Sequence, residues 1–230
     1  MLILAFETSA KAASVALFDG NILLGEQYQN TGLTHSQTLM VMAQDLLTQC
    51  GKTARDVQAV AVANGPGSFT GVRIGVAAAK GFAWGGELPL YGVSTLEAMA
   101  LGLGAYQGWI CPVMDARRSQ VYNALFYVNQ GVLERRTPDR AISLSDLGEE
   151  LKNLEEPIFL VGDGSVLCYN SLLEAVPGMV LPPEHKRHQR AVGVGLAALV
   201  QPQTQNAGEI VPNYLRLSQA ERERMEKQNR

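Results

Sequence analysis

Apolar positions at the start of the chain fall into short, near-continuous runs. Leu2 to Phe6, Ser14 to Phe18 and Ile22 to Tyr28 read as three strands, the last two joined by Asp19-Gly20, a hairpin signal. They predict a three-stranded antiparallel unit. The polar stretch Glu7-Thr8-Ser9-Ala10-Lys11 between the first two is either a plain hairpin connection or a short loop able to hold a phosphate. The spacing then turns helical. Thr34 stands as a cap, and Leu39, Met42, Ala43, Leu46 and Cys50 share one face up to Gly51, while Met40, Val41 and Leu47 lie outside it. Ala59 to Ala63 reads as a strand. Phe69 to Trp84 is a helix that is apolar or small on nearly every side, with only Arg73 and Lys80 charged, so it predicts cover on two sides. Leu88 to Val93 is the next strand, and Ser94 caps a helix from Thr95 to Leu103 with Glu97 in capping-box position.

The second half repeats the scheme more loosely. Strands are predicted at Trp109 to Met114, Gln120 to Val128, Gly131 to Arg136 and Ile158 to Val161, with helices at Ser145 to Leu154, Val166 to Ala175 and Val192 to Val200. Pro212 to Arg216 reads as extended. Antiparallel strands followed by alternating helices and strands, twice over, indicate an α/β protein of duplicated architecture. We divide it into an N-terminal lobe, 1–104, and a C-terminal lobe, 105–217, whose last helix can return to the first lobe. Residues 218–230 are a charged tail without an apolar face, expected to fray unless a partner orders it.

The junction Asn64-Gly65-Pro66-Gly67-Ser68-Phe69-Thr70-Gly71-Val72-Arg73 joins a strand to a helix N-terminus. Gly65 and Gly67 permit positive φ and close backbone approach, and Ser68 or Thr70 can cap the helix. Two readings stay open: an anion at the free helix N–H groups, or a turn built only for close packing. No Gly-Lys-Ser/Thr follows, so it is not a Walker A loop, and the dinucleotide spacing is absent. Asp115-Ala116-Arg117-Arg118 ends a later strand and is either a salt-bridged turn or an anion or inter-lobe contact, and Gly162-Asp163-Gly164-Ser165 is a second glycine turn with the ambiguity of the first.

Composition narrows the classes. The 230 residues are 47% hydrophobic and 18% charged, with a net charge of −3, and the pI is near 5.7. That disfavours a chain gripping nucleic acid by its own phosphate contacts. No apolar run is long enough to span a bilayer, the start lacks a basic leader, and we expect a cytoplasmic protein with no membrane contact. Cys50, Cys111 and Cys168 are scattered among apolar residues and suit buried thiols. His35, His185 and His188 lack the neighbours a zinc site needs. The run His185 to Arg190 is a basic, polar surface stretch.

Taken together, Leu4-Ala5-Phe6-Glu7-Thr8-Ser9, Gly65 to Arg73, Gly92-Val93-Ser94-Thr95-Leu96, Asp115 to Arg118 and Pro212 to Arg216 resemble the bacterial TsaB family, along almost the whole chain. The resemblance implies a two-lobed actin-like, Hsp70-like ATPase fold, each lobe a mixed sheet with a three-stranded antiparallel unit flanked by helices. It implies a non-catalytic scaffold and activating subunit of the complex that forms threonylcarbamoyladenosine beside the tRNA anticodon. The partners implied are TsaD directly, TsaE in the assembled complex, a second copy in a homodimer, and tRNA only through the complex. In the catalytic paralogue two histidines four apart hold a metal; the matching positions here are Thr95 and Met99, so no metal is expected. Glu7, Thr8, Ser9, Gly65 and Gly67 occupy the phosphate-loop positions, with Glu7 where active relatives carry aspartate. No cofactor of the chain's own is implied, and a nucleotide only at the complex interface. The helices Thr34 to Cys50 and Ser68 to Trp84 are expected to face TsaD, with Ser68 at the interface and the burial of Leu39, Met42, Leu46, Val72, Val76 and Ala79 divided between the core and that interface. The alternative is an ATP-dependent small-molecule kinase of the same superfamily.

Overall fold

The computed structural model describes residues 1–104, 106–201 and 204–216; the tail lies outside them. Strands β1 (Leu2–Glu7), β2 (Ala13–Asp19) and β3 (Ile22–Gln29) form the antiparallel meander. Helix α1 (His35–Gln49) leads to β4 (Ala59–Gly65), helix α2 (Phe69–Gly85), β5 (Leu90–Ser94) and helix α3 (Thr95–Leu103). β4 joins β1 in parallel and β5 joins β4, giving the order β3-β2-β1-β4-β5. Thr34 occupies the cap position of α1, but its side chain accepts no hydrogen bond. Ser68 and Ser94 do cap, each accepting the amide three residues on.

The second lobe runs β6 (Gly108–Asp115), β7 (Gln120–Asn123), β8 (Phe126–Asn129), β9 (Val132–Arg135), β10 (Arg140–Ser143), helix α4 (Leu144–Leu151), β11 (Ile158–Val161), helix α5 (Ser165–Leu172), β12 (Met179–Val180), helix α6 (Glu184–Arg187) and helix α7 (Ala191–Val200). The single strand expected over 120–128 is broken, for a local reason. β7 and β8 pair with β6 in one register, and the break leaves Ala124 opposite Pro112, which has no N–H for the ladder. Asn123 fills the gap, its buried Nδ2 donating to the carbonyls of Pro112 and Ala124 at 3.1 Å each. β10, β12 and α6 were not legible in the pattern, being only two to four residues long. α4 and α5 also stop three residues short of the expected ends. With β9 and β10 read as one interrupted strand, the sheet order matches that of the first lobe, meander then two parallel strands.

The strands of the first sheet are buried on both faces. Leu4, Phe6, Val15 and Leu17 pack against α1 and α2, and the alternate residues Ile3, Ala5, Ala16 and Phe18 pack against α7 and Ala98 of α3. Helix α7 therefore returns to the first lobe. Helix α3 is shared, since Leu96, Met99 and Leu103 point instead to Ile110, Met114 and Phe126 of the second sheet. Polar links close the seam. Arg135 pairs with Glu97 at 3.0 Å and with Asp139 at 2.6 Å, and Ser94 donates to Asp139 at 2.6 Å. Among the described residues the double cover expected of α2 is not completed. One face lies on the sheet, while Arg73, Ala77, Gly81 and Trp84 are exposed. Among the described residues no helix is long and apolar enough to cross a membrane.

Close approach of α7 gives two glycines opposite weight to one that is free. A Cβ on Gly193 would overlap the carbonyl of Ala98, and one on Gly195 the ring of Phe18; a Cβ on Gly81 would meet nothing. Urea unfolding should therefore show Gly81→Ala more stable by about 0.5–1 kcal/mol, from helix propensity alone. Gly193→Ala should be less stable by about 1–3 kcal/mol, through overpacking. Equal effects at the two positions would refute the tight α3–α7 contact.

Candidate functional site

The C-terminal end of β1 delivers Glu7, Thr8 and Ser9 to the junction of the lobes, all buried. Helix α2 is seated directly on them. Ser68 N–H donates to the carbonyl of Ser9 at 2.7 Å, and Thr8 Oγ1 donates to the carbonyl of Gly71 at 2.8 Å. Gly67, Gly71 and Gly75, spaced one turn apart, make the approach feasible: a Cβ on Gly67 would lie 2.5 Å from Ser9 O, and Cβ atoms on the other two would overlap Thr8. Gly65 has a φ of +120° and a Cβ there would lie 2.5 Å from Asn213 O. Of the two readings of this glycine turn, close packing is the one the geometry builds.

The loop's own carboxylate occupies it. Glu7 Oε1 accepts the Ser9 amide at 2.5 Å, while Glu7 Oε2 and Ser9 Oγ have no partner. Burial pushes the Glu7 carboxyl up to about 7, against the pull of the Ser9 side chain and of the Ser9 and Thr8 amides, and nearby Asp163 adds to the rise. Asp163, in the β11–α5 turn, is also raised, by burial first, with Gln189 Nε2 donating to it at 3.2 Å. Gly162 in that turn has a φ of +104°, and a Cβ would overlap Val113 O, so the second glycine turn is close-packed as well. Among the described residues no three His, Cys, Asp or Glu side chains could hold a metal. Thr95 and Met99 are buried, Thr95 Oγ1 without a hydrogen-bond partner.

The six apolar residues expected to divide between the core and a partner interface all go to the core. Leu39, Met42, Leu46, Val72, Val76 and Ala79 are buried in this chain's own core, packed with Leu4, Phe6 and Leu17. Side chains already out of water have no apolar area left for a partner. Ser68 alone is exposed. The outer faces of the same helices carry Met40, 43% exposed, Val41, 58%, and Trp84, 77%.

One cluster escaped the sequence reading. Residues 204–216 form a strap over the first lobe, with Gln205 bridged to Leu90, Lys80 donating to Ile210 O at 3.1 Å, and Asn213 N–H donating to Asn64 O at 2.6 Å. Its end reaches both lobes. Tyr214 stacks on Phe69, centroids 4.6 Å apart, and accepts a hydrogen bond from Arg73 Nε at 2.7 Å; Arg216 donates to the carbonyls of Ala116 and Arg117. Arg117, Arg118 and Ser119 there are all left-handed, with φ of +61°, +55° and +55°. Such backbone costs non-glycine residues about 1–2 kcal/mol each, and Arg216 together with Asp115, which accepts the Arg117 amide at 2.7 Å, holds the turn in place. Only the quoted sequence blocks hinted at this cluster, since its members are about a hundred residues apart or more.

Comparison with known proteins follows the same outline. Residues 29–222 match the family model described as TsaD, tRNA N6-adenosine threonylcarbamoyltransferase. The chain is 34% identical to the tRNA threonylcarbamoyladenosine biosynthesis protein TsaB of Bacillus subtilis, over 99% of this chain and 100% of the relative. It is 37% identical to the TsaB of Escherichia coli over 71% and 72% of the two chains. Among solved structures, YeaZ from Pseudomonas aeruginosa superposes with a TM-score of 0.73 at 27% identity, covering 93% of this chain and 99% of that one. The ethanolamine utilization protein EutJ from Carboxydothermus hydrogenoformans, 12% identical over 86% of this chain and 90% of that one, shares only the fold, at a TM-score of 0.51. The two like sheets with their flanking helices are the two-lobed actin-like ATPase fold, and the chain belongs to the TsaB family of tRNA threonylcarbamoyladenosine biosynthesis proteins.

Proposed function

We propose that this chain is a non-catalytic scaffold and activating subunit of the assembly that forms threonylcarbamoyladenosine on tRNA, and that it binds TsaD through the outer faces of α1 and α2. One contact supports the non-catalytic part above all. The carboxylate of Glu7 takes the amide of Ser9 for itself, in a loop sealed by Gly67, just before α2, and by Gly71 and Gly75 of α2. A kinase-like reaction would need such amides for a phosphate. The positions that match the paralogue's metal ligands, Thr95 and Met99, offer a hydroxyl and a thioether, poor donors for hard or borderline divalent ions. For the binding part, Met40, Val41 and Trp84 leave apolar area exposed on helices that already pack side by side. The same faces would serve a homodimer in the absence of TsaD. TsaE joins only the assembled complex, and any nucleotide lies at the interface between subunits.

The Glu7 contact has a pH signature. Folded Glu7 keeps its proton up to about pH 7 and the unfolded chain releases it near 4.5, so between these values the folded state binds more protons. Stability must then fall as pH rises from about 4.5 to 7. Glu7→Gln keeps the acceptor and removes the ionisation. In urea unfolding its advantage over the wild type should grow by about 3 kcal/mol between about pH 4 and pH 8, and a difference that is flat with pH would show that Glu7 is not desolvated. Binding is tested by sedimentation with TsaD. Val41→Asp and Trp84→Asp should each weaken the heterodimer at least about tenfold, one charged group in a desolvated contact costing more than 1.4 kcal/mol, with native circular dichroism retained. Val76→Asp buries a charge in the core and should instead unfold the first lobe. Heterodimer formation undiminished in both surface variants would remove α1 and α2 from the interface.

A further inference from the structure

The arginines of the chain divide by what surrounds them. Arg135, Arg136, Arg140 and Arg190 each have a carboxylate partner. Among the described residues Arg55 and Arg187 have none within 4.0 Å, and neither do Arg73, Arg117, Arg118 and Arg216, although the chain as a whole carries a net charge of −3. The last four gather at one rim, where the strap crosses from the first lobe to the second. The Arg73 guanidinium lies 3.8 Å over the centre of the Phe69 ring, which stacks on Tyr214, and Tyr214 is 41% exposed. Two residues along the strap, Arg216 fixes the turn that presents Arg117 and Arg118, both exposed. The only carboxylate in that turn, Asp115, is engaged with the Arg117 amide.

We propose that Arg73, Arg117, Arg118 and Arg216, with the Phe69–Tyr214 stack beside them, form a contact for the single-stranded loop of an RNA. Unpaired guanidiniums strung along a rim suit successive phosphates, and an exposed aromatic face among them accepts an unstacked base regardless of its identity. The choice of RNA over another polyanion rests on the family's place in tRNA modification; the arrangement of charges and rings stands without it. The contact would let this subunit hold the substrate directly rather than only through TsaD. The paired arginines elsewhere have guanidinium N–H groups already given to a carboxylate.

The probe is a fluorescein-labelled RNA stem-loop, read by anisotropy against the full chain over a range of KCl concentrations. Four phosphate contacts predict a slope of log K against log salt of about −3 for single-stranded RNA. Arg73→Gln and Arg118→Gln should each bring the slope closer to zero by about 0.7. Tyr214→Ala should weaken binding about tenfold with the slope unchanged. Sedimentation with TsaD separates this inference from the functional reading above. Val41→Asp should lose TsaD and keep the RNA slope, and Arg118→Gln the reverse. A wild-type slope near zero, or a slope unaltered by both arginine variants, would overturn the proposal. So would loss of TsaD binding in Arg118→Gln with the RNA slope intact, which would make the rim a protein contact. Binding of RNA with this slope by a chain that ignores TsaD would leave the proposal standing and remove the scaffold reading instead.

Discussion

The seat of α2 on the end of β1 is the contact on which the rest of this structure depends. Gly67, which precedes the helix, and Gly71 and Gly75 within it bring its backbone against Thr8 and Ser9. A glycine inside a helix costs about 1 kcal/mol relative to alanine, so such a row is retained only where a side chain would prevent the approach. With the helix that close, the first loop is roofed over. Its polar groups must then look for partners within the protein: Glu7 Oε1 takes the Ser9 amide and Thr8 Oγ1 the Gly71 carbonyl, while Glu7 Oε2 and Ser9 Oγ find none among the described residues. The loop after β1 is thus a packed joint.

That joint explains why the lobes are welded in several places. Helix α3 lends one face to each sheet, α7 crosses back to cover the first, and the strap ties Leu90, Asn64 and Lys80 on one side to the turn after β6 on the other. Exposed ion pairs such as Arg135 with Glu97 add little each, about 0–1 kcal/mol, but they are aligned along the same seam. A two-lobed fold built this way is suited to presenting fixed surfaces. The outer faces of α1 and α2 and the arginine rim lie on that rigid frame, and the strained turn at Arg117 to Ser119 persists because Arg216 and Asp115 hold it.

Much of this was legible along the chain. The near-continuous apolar runs of β1 and β2, the Asp19-Gly20 turn and the serine caps at 68 and 94 are local devices, and local spacing determined them. The repeated order of strands and helices was enough for a duplicated α/β fold, and the blocks around Gly65 and Asp115 for the family. What periodicity cannot do is say which of two apolar faces meets its own sheet. Leu39, Val72 and Val76 look the same to a pattern whether they face a core or a partner, and only the packing of α1 and α2 on β1, β2 and β4 put them inside. The broken strand at Asn123 was likewise beyond a local reading, because its cause, Pro112, is on a neighbouring strand. The Phe69, Arg73 and Tyr214 stack depends on residues 141 positions apart. Sequence alone determined the elements, their order and the residue types available for chemistry; tertiary structure decided which glycines were for contact, which apolar groups were spent on the core, and which arginines were left without a carboxylate, because burial and charge pairing are properties of neighbours in space.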